Sequence, residues 1–317
     1  LAIATARQID QVVGLLRLSR PQLLVSGFWR SGTTWLQECL AEALAAKTVF
    51  EPLSPLDPAR GRVLAKLFPD DADAAEAYIP ARAGRDDLWP FLDRAMRGRA
   101  DSPLTLSCRW SPGESFRRGV VVKDVRLQCH LAPVHARYGV PVVHLRRHPC
   151  AVVASLMGAN WHWSFARVRL ASLLAELPAR DLVGADPRAF DDDALSRIAA
   201  CWAWSEARAA EDLRGRTWGC LVTYEDLIEA PDRVLAATCA ALGLTRRTVV
   251  AFDRPSASIH PDEFAARTAG RDRWRQTLSG AEIARIQRIA TAVYPGWREA
   301  WTTRPHLSKQ AGDLDPG

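Results

Sequence analysis

A turn bracketed by two glycines is the part of the sequence best suited to hold an anion. In LLVSGFWRSGTTWLQ, Gly27 and Gly32 bracket four residues between an apolar run and a helical pattern. A strand, a tight turn and a helix N-terminus together present backbone N–H groups and the positive end of a helix dipole to an anion. Thr33 and Thr34 add hydroxyl donors, and Arg30 adds a cation inside the turn. The spacing therefore predicts a phosphate-binding loop.

This turn lacks the lysine of a loop that binds nucleoside triphosphates. Thr33 follows the second glycine directly, at the position where a Walker A loop places its Lys. The apolar stretches GVVVKD and VPVVHLRR end in basic or mixed residues, so neither supplies a convincing Walker B acid. A magnesium-dependent kinase is therefore disfavoured, and transfer of an anionic group without a metal fits better.

Apolar runs alternate with helical patterns along the chain. The sequence predicts strands at 22–27, 48–51, 119–124, 140–147 and 217–224, and helices at 33–47, 127–137, 149–158, 191–213, 231–242 and 279–293. Continuous Val, Ile and Leu strands of this kind are typical of a parallel sheet covered on both faces. We therefore expect an α/β fold, a P-loop-like parallel sheet flanked by helices, with ligands at the carboxyl ends of its strands.

The chain is expected to form one domain over residues 1–302. Breaks at Pro, Gly and Asp–Asp indicate a helical insertion at about 55–100, and the segment at about 158–190 is assigned to the acceptor side. The polar tail 303–317 is expected to be flexible. No apolar run reaches the ~18 residues of a membrane span, and the N-terminus lacks the layout of a signal peptide. We expect a cytoplasmic protein; because the chain begins at Leu1, removal of a short leader stays open.

Charge and cysteine usage narrow the class of ligand. The net charge is +6, and of the 42 Lys and Arg residues only four are Lys: Lys47, Lys66, Lys123 and Lys309. The positive charge is dispersed, which disfavours nucleic acid as a partner and leaves an anionic small ligand. Seven cysteines occur without a CxxC pair, so reduced thiols are expected and no metal site is indicated.

Four stretches resemble the PAPS-dependent sulfotransferases, which use 3′-phosphoadenosine 5′-phosphosulfate and release the desulfated nucleotide PAP. FWRSGTTWL resembles their 5′-phosphosulfate loop, and RHPCAVVAS resembles their 3′-phosphate segment. VTYED resembles the strand end whose Tyr approaches the adenine, and RTAGRDRWRQTLS resembles the C-terminal loop that caps the 3′-phosphate. The four stretches follow the family's order and span residues 23 to 279, which makes them strong evidence together.

The resemblance implies a set of donor-binding residues. They are Arg30, Ser31, Gly32, Thr33, Thr34, Trp35, Arg147, Ser155, Tyr224 and Arg267. Arg147 is preferred over Arg146 because it has the family's spacing to Ser155, although the choice stays open. The family's usual Lys–Gly after the last basic residue is Thr268–Ala269 here, so only Arg267 carries over.

The resemblance also implies catalytic roles for Glu51, Arg30 and Lys123. Lys123 ends the strand GVVVKD and is expected to reach the sulfuryl oxygens, but the His of the cytosolic branch's KTH motif is absent from KDV. Glu51 lies twenty-one residues after Arg30, close to the Glu base of the branches that act on carbohydrates and protein tyrosines. A partly buried carboxylate there is expected to have a raised pKa. His144 and His162 are the alternative bases.

The acceptor is expected to be a small molecule that offers a hydroxyl group. Tryptophans that could line an apolar acceptor site are Trp110, Trp161, Trp163, Trp202 and Trp204, although CWAWSEA also reads as a helix with core-facing aromatics. A hydrophobic or aromatic acceptor is favoured slightly over a glycosylated one. A P-loop small-molecule kinase and a non-catalytic nucleotide-binding protein remain the alternatives, and the oligomeric state is left open.

Overall fold

The computed structural model describes residues 2–16, 19–67, 78–79, 85–99, 102–108, 112–166, 168, 173, 190, 193–253, 256–257 and 272–299. Arg267, the tail 303–317 and most of the segment 158–190 lie outside these ranges, so the expectations placed on them stay predictions.

Five parallel strands form one sheet in the order β2-β3-β1-β4-β5. The strands are β1 (Arg20–Gly27), β2 (Ala46–Phe50), β3 (Gly119–Lys123), β4 (Val142–Arg146) and β5 (Gly219–Thr223). The central strand β1 lies between β3 and β4, with Val25 opposite Lys123 on one side and Val143 on the other. All carboxyl ends therefore meet at one edge, where the loop after β1 also lies.

Helices cover both faces of this sheet. They are α1 (Ala2–Leu15), α2 (Thr33–Ala43), α3 (Pro58–Leu67), α4 (Arg85–Met96), α5 (Leu131–Tyr138), α6 (Pro149–Gly158), α7 (Ala194–Leu213), α8 (Tyr224–Glu229), α9 (Pro231–Ala241), α10 (Trp274–Thr277) and α11 (Gly280–Val293). Successive strand residues point to opposite faces: Leu23 and Val25 share a core with α2, whereas Leu24 shares one with α4 and α5. This arrangement confirms the predicted α/β class.

Two helix boundaries differ from the sequence prediction by four residues, more than any of the other predicted helix boundaries. The helix α2 ends at Ala43 rather than at 47, and Ala45 takes a left-handed φ of 51° that turns the chain into β2. The helix α5 begins at Leu131 rather than at 127. Residues 124–130 instead form turns, because the buried Asp124 carboxylate accepts the backbone N–H groups of Leu53 and Arg126 at 3.0 and 2.9 Å. These turns form one wall of the site described next.

The described part of the predicted insertion is helical, with α3 and α4 inside it. The capping box predicted for the last long helix is present, since Ser279 and Glu282 exchange side-chain and backbone hydrogen bonds at the start of α11. No helix within the described ranges is long and apolar enough to cross a membrane. All seven cysteines are free thiols.

Candidate active site

The loop after β1 is shaped by two glycines that have no room for a side chain. A Cβ at Gly27 would lie 2.4 Å from the Leu145 carbonyl oxygen, so the loop begins in close contact with β4. Gly32 has φ 89°, and a Cβ there would lie 2.7 Å from the ring of Tyr224. The first hydrogen bond of α2 runs from the Leu36 N–H to the Gly32 carbonyl at 3.1 Å. The preceding amides of the first turn therefore have no acceptor within the helix and form an anion cradle.

A cavity of about 280 Å³ opens at this edge of the sheet. Its wall is formed by Trp29, Arg30, Gly32, Thr33, Thr34, Trp35, Phe50, Glu51, Leu56, Leu104, Lys123, Val125, Arg126, Arg147, Trp161, Tyr224 and Ser256. Most of these residues end or follow one of the five strands, and every strand contributes, as expected for a ligand site at the carboxyl ends of a parallel sheet. Of the ten donor-binding residues expected from the resemblance, seven line this wall. An eighth, Ser155, adjoins the wall through its hydrogen bond with Arg30.

Glu51 stands between two cations at the end of β2. Lys123 donates to its Oε1, and Arg126 Nη1 donates to its Oε2 at 2.8 Å. Lys123 and Arg126 are only 3% and 1% exposed. The Glu51 backbone N–H also donates to the Lys123 carbonyl at 2.7 Å, and Glu51 takes a left-handed φ of 38°. The ends of β2 and β3 are therefore joined through both backbone and side chain.

The expectation of a raised pKa for Glu51 is wrong for this state of the protein. Burial alone would raise the pKa, but the charges and hydrogen bonds of Lys123 and Arg126 outweigh burial and lower it to about 2. Burial raises the pKa of the neighbouring Asp124, although its hydrogen bonds and Arg126 oppose this. Glu51 is thus an ionised carboxylate held by two cations, and its basicity rises only when one of them moves away.

Arg126 is the one charged residue of the described cavity wall that the sequence prediction did not assign to the site. Its guanidinium lies over the Trp29 ring, with Cζ 4.7 Å from the ring centroid, while it contacts Glu51. Arg126 is the third residue after Lys123 in KDVRLQ, and no helical or strand pattern places it. Its position follows from the turn held by Asp124, a tertiary feature that the local sequence does not specify.

Arg30 and Arg147 lie on the loop side of the cavity. Arg30 Nε donates to Ser155 Oγ at 3.0 Å, and its Cζ lies 5.1 Å from the centroid of Trp161. Arg147 Nη1 donates to the Arg30 carbonyl at 2.8 Å, and its Cζ lies 4.5 Å from the Tyr224 ring centroid. The segments after β1, β4 and β5 are thereby joined around one concave surface.

Arg146 and His144 point away from this surface into the core. Arg146 Nε donates to Glu206 Oε2 at 3.1 Å, and His144 Nε2 lies 3.2 Å from Glu206 Oε1. His144 Nδ1 also lies 3.3 Å from Ser26 Oγ. His162 lies on a short 3₁₀ turn and is not part of the cavity wall. Neither alternative histidine base is therefore placed with Lys123.

The remaining predicted donor residues are buried in or beside the first turn of α2. Thr33 and Thr34 line the cavity, and Trp35 packs edge-on against Phe252 with centroids 6.4 Å apart. Ser31 is fully buried but does not line the cavity, and its Oγ has no hydrogen-bond partner among the described residues. A buried hydroxyl without a partner is costly unless a ligand pairs with it.

The tryptophans divide between cavity and core. Trp161 and Trp29 line the cavity and pack edge-on with centroids 6.3 Å apart. Trp202 and Trp204 were candidates for the acceptor site. They lie on α7 and are instead fully buried in the hydrophobic core. Two residues apart on a helix, these side chains point to opposite sides of it. Because α7 is buried on most sides, both lie in the core rather than in the cavity. Trp110 and the side chain of Trp163 lie outside the described residues.

Of the comparisons with known proteins, those with solved structures find likeness to this chain. No protein-family model and no curated protein matches the chain. Among solved structures, the chain is similar to the sulfotransferase domain of the Synechococcus PCC 7002 olefin synthase, at 17% identity over 90% of this chain and 96% of that one, with a TM-score of 0.48. It is also similar to sulfotransferase STF1 from Mycobacterium tuberculosis, at 16% identity over 91% and 82%, with a TM-score of 0.44. Mouse sulfotransferase SULT7A1, solved with PAP, gives 12% identity over 92% and 89%, with a TM-score of 0.45. At these identities and scores, function has to be argued from the site itself.

Proposed function

We propose that the chain is a PAPS-dependent O-sulfotransferase that acts on an apolar hydroxyl compound. The observation that carries this proposal is the placement of Glu51. Its carboxylate, paired with Lys123 and Arg126, opens into the same cavity as the amide cradle of the first loop. A base, a movable cation and an anion cradle in one cavity are what transfer of a sulfuryl group to a hydroxyl requires.

The residues present fit the donor nucleotide. The amides and hydroxyls of Thr33 and Thr34 suit its 5′ side, with the unpaired buried hydroxyl of Ser31 beside them. Arg147, fixed on the Tyr224 ring, suits its 3′-phosphate because a guanidinium can hold a phosphate through two hydrogen bonds. Arg267 is proposed as a further cap on that phosphate.

Bound PAPS supplies an activated sulfuryl group whose leaving group is PAP. The acceptor oxygen forms a bond to sulfur while the bond between sulfur and the 5′-phosphate oxygen breaks, and the electron pair leaves with PAP. Arg30 and the loop amides stabilise the charge that develops on the leaving oxygen, and Lys123 stabilises the sulfuryl oxygens. Glu51 takes the proton of the acceptor hydroxyl.

Lys123 has a second role in this scheme. While it is paired with Glu51, its charge helps to keep the pKa of that carboxyl near 2. When its flexible side chain turns to the sulfuryl oxygens, Glu51 loses one of its two cations and becomes more basic. The base is therefore activated only after the donor is in place, which protects the donor from water.

The acceptor side of the cavity supports an apolar substrate. Its wall includes the apolar side chains Trp29, Phe50, Leu56, Leu104, Val125 and Trp161. Leu56 and Trp161 are 65% and 40% exposed, so two large apolar side chains of the wall face solvent, as in ligand-binding grooves. Glu51 is the one acidic residue in the described wall. A hydrophobic or aromatic alcohol therefore fits this wall better than a sugar, which needs many polar partners.

Ligand binding and turnover test the proposal. PAP should raise the melting temperature strongly, by linkage, whereas ATP with Mg²⁺ and AMP should not. Turnover of PAPS with a panel of aliphatic alcohols and phenols should persist in EDTA. Tighter binding of ATP with Mg²⁺ than of PAP would support a kinase instead. Tight PAP binding without turnover of any hydroxyl compound would favour a non-catalytic nucleotide-binding protein.

A further inference from the structure

Two cations contact Glu51, and they differ in how firmly they are held. Lys123 contacts Oε1 from the end of β3 and has the Phe50 ring 4.3 Å from its Nζ. Arg126 contacts Oε2 and is stacked on Trp29, with its own backbone N–H bound to Asp124. A lysine ammonium is a point charge on a flexible stem, whereas a stacked guanidinium is fixed in one plane. The two oxygens of Glu51 are therefore held by one movable and one fixed cation.

This difference matters because the proposed reaction removes Lys123 from Glu51. A carboxylate left without any partner in a buried position would lose its orientation, and burial would raise its pKa until it took a proton from water. A base that is already protonated cannot accept the proton of the acceptor. A second cation that stays in place prevents both losses while leaving Oε1 free to face the hydroxyl.

We propose that Arg126 is the positioning residue of the base: it holds Glu51 by Oε2, and the stack on Trp29 keeps it there when Lys123 turns to the donor. This inference rests on the proposed function. Trp29 thereby contributes to the acceptor wall and to the support of Arg126 at once. Among the described residues, the charge of Glu51 also acts on two buried groups, Asp124 and Cys108.

The experiment follows the ionisation of Glu51 directly, because no acceptor is needed for it. The side-chain carboxyl carbons of Glu are labelled with ¹³C, and the Glu51 signal is assigned by its loss in E51Q. The full chain is titrated as wild type, K123M, R126M and R126Q. Two substitutions of Arg126 are used so that failure of one to fold leaves the other, and each removes the charge while filling most of the volume.

A matched control is available in Arg60. This arginine is also buried, is paired with Asp57 at 2.7 Å and lies with its Cζ 5.2 Å from the Phe91 ring centroid, but it is not part of the cavity wall. The variant R60M therefore removes a buried, stacked arginine with a carboxylate partner. Arg60 makes no contact with the Glu51 carboxylate, but its Nε donates to the carbonyl of the adjoining Pro52, so R60M also controls for loss of a nearby backbone contact. Glu51 in R60M should titrate as it does in the wild type.

We expect the midpoint of the Glu51 titration to rise by about one unit or more in both Arg126 variants, the size of effect that an adjacent opposite charge has. In K123M, which imitates departure of Lys123, Glu51 should still be ionised at pH 6 because Arg126 remains. Titration of Glu51 in R126M and R126Q at the wild-type midpoint would overturn the inference, as would a protonated Glu51 at pH 6 in K123M. Calorimetry of PAP binding to the wild type tests the proposed function separately. Failure of the wild type to bind PAP would contradict the proposed function, whereas the Glu51 midpoints are measured without PAP and test the role of Arg126.

Discussion

Substitution of Gly32 by alanine tests whether the first loop is held in shape by Tyr224. Gly32 has φ 89°, in the left-handed region that non-glycine residues rarely adopt. A Cβ there would also lie 2.7 Å from both Cδ2 and Cε2 of Tyr224, well inside van der Waals contact. The substitution thus adds one methyl group that meets both a backbone cost and a steric cost.

The two costs can be estimated separately. A left-handed conformation costs an L-residue with a Cβ about 1–2 kcal/mol. Overpacking of a methyl group in a filled space costs about 1–3 kcal/mol more when neighbouring rings have to shift. We therefore expect Gly32→Ala to lower the free energy of unfolding by about 2–5 kcal/mol. Displacement of Tyr224 would also move the face on which Arg147 is stacked, so PAP affinity should fall more than tenfold.

The matched control is Gly139→Ala. Gly139 ends α5 with φ 66°, but no atom lies within 4 Å of a Cβ built there. It therefore measures the backbone cost alone, about 1–2 kcal/mol. Urea unfolding gives the two free energies, and calorimetry gives PAP affinity. If Gly32→Ala were no less stable than Gly139→Ala and bound PAP as the wild type does, the packing of Tyr224 against the loop would play no part in the site.

Four further predictions concern single side chains. Glu51→Gln should keep PAP binding but lose turnover at least 100-fold; full turnover would show that another group is the base. The lowered pKa of Glu51 contributes stability that is present above pH 4.5 and lost as the pH falls toward 2, so urea unfolding should show a smaller loss on acidification in Glu51→Gln than in the wild type. Ser31→Ala should leave stability unchanged, because its hydroxyl has no partner among the described residues, yet weaken PAP binding about five- to tenfold by calorimetry. Arg147→Met should weaken PAP binding without a large change in unfolding free energy, whereas Arg146→Met should cost about 3–5 kcal/mol of stability because it leaves the buried Glu206 without that partner; the opposite pattern would assign the phosphate to Arg146.

The sheet could be predicted because its strands contain short, continuous apolar runs. GVVVKD and VPVVHLRR are continuous runs that only a covered parallel strand buries fully, and both became strands next to β1. The ends of the helices were harder to predict because they depend on contacts between residues far apart in the sequence. The late start of α5 shows this: nothing in the local pattern of 127–130 opposes a helix, but Asp124 holds the preceding turn through Leu53, seventy-one residues away in sequence.

The site could be predicted where a residue lies next to a strand end. Lys123 ends β3 and Glu51 directly follows β2, and because these strands are neighbours in the sheet the two side chains meet. The ionisation state of Glu51 could not be predicted in the same way. Its pKa depends on the balance between burial and two cations, and one of those cations, Arg126, is placed by a turn rather than by a strand. The sign of that shift is therefore a tertiary property.

The proposed function offers a physical explanation for the missing lysine of the first loop. In the sheet, Lys123 lies opposite Val25, two residues before the loop begins, so a cation enters the cavity from the adjacent strand β3. A lysine inside the loop would be fixed on the phosphates of the donor. A lysine on the adjacent strand can instead contact Glu51 in the absence of the donor and the sulfuryl oxygens in its presence. In the proposed mechanism, this location links donor binding to activation of the base, which a loop lysine could not do without leaving the phosphates. If K123M retained full turnover with a neutral alcohol, this link would be refuted.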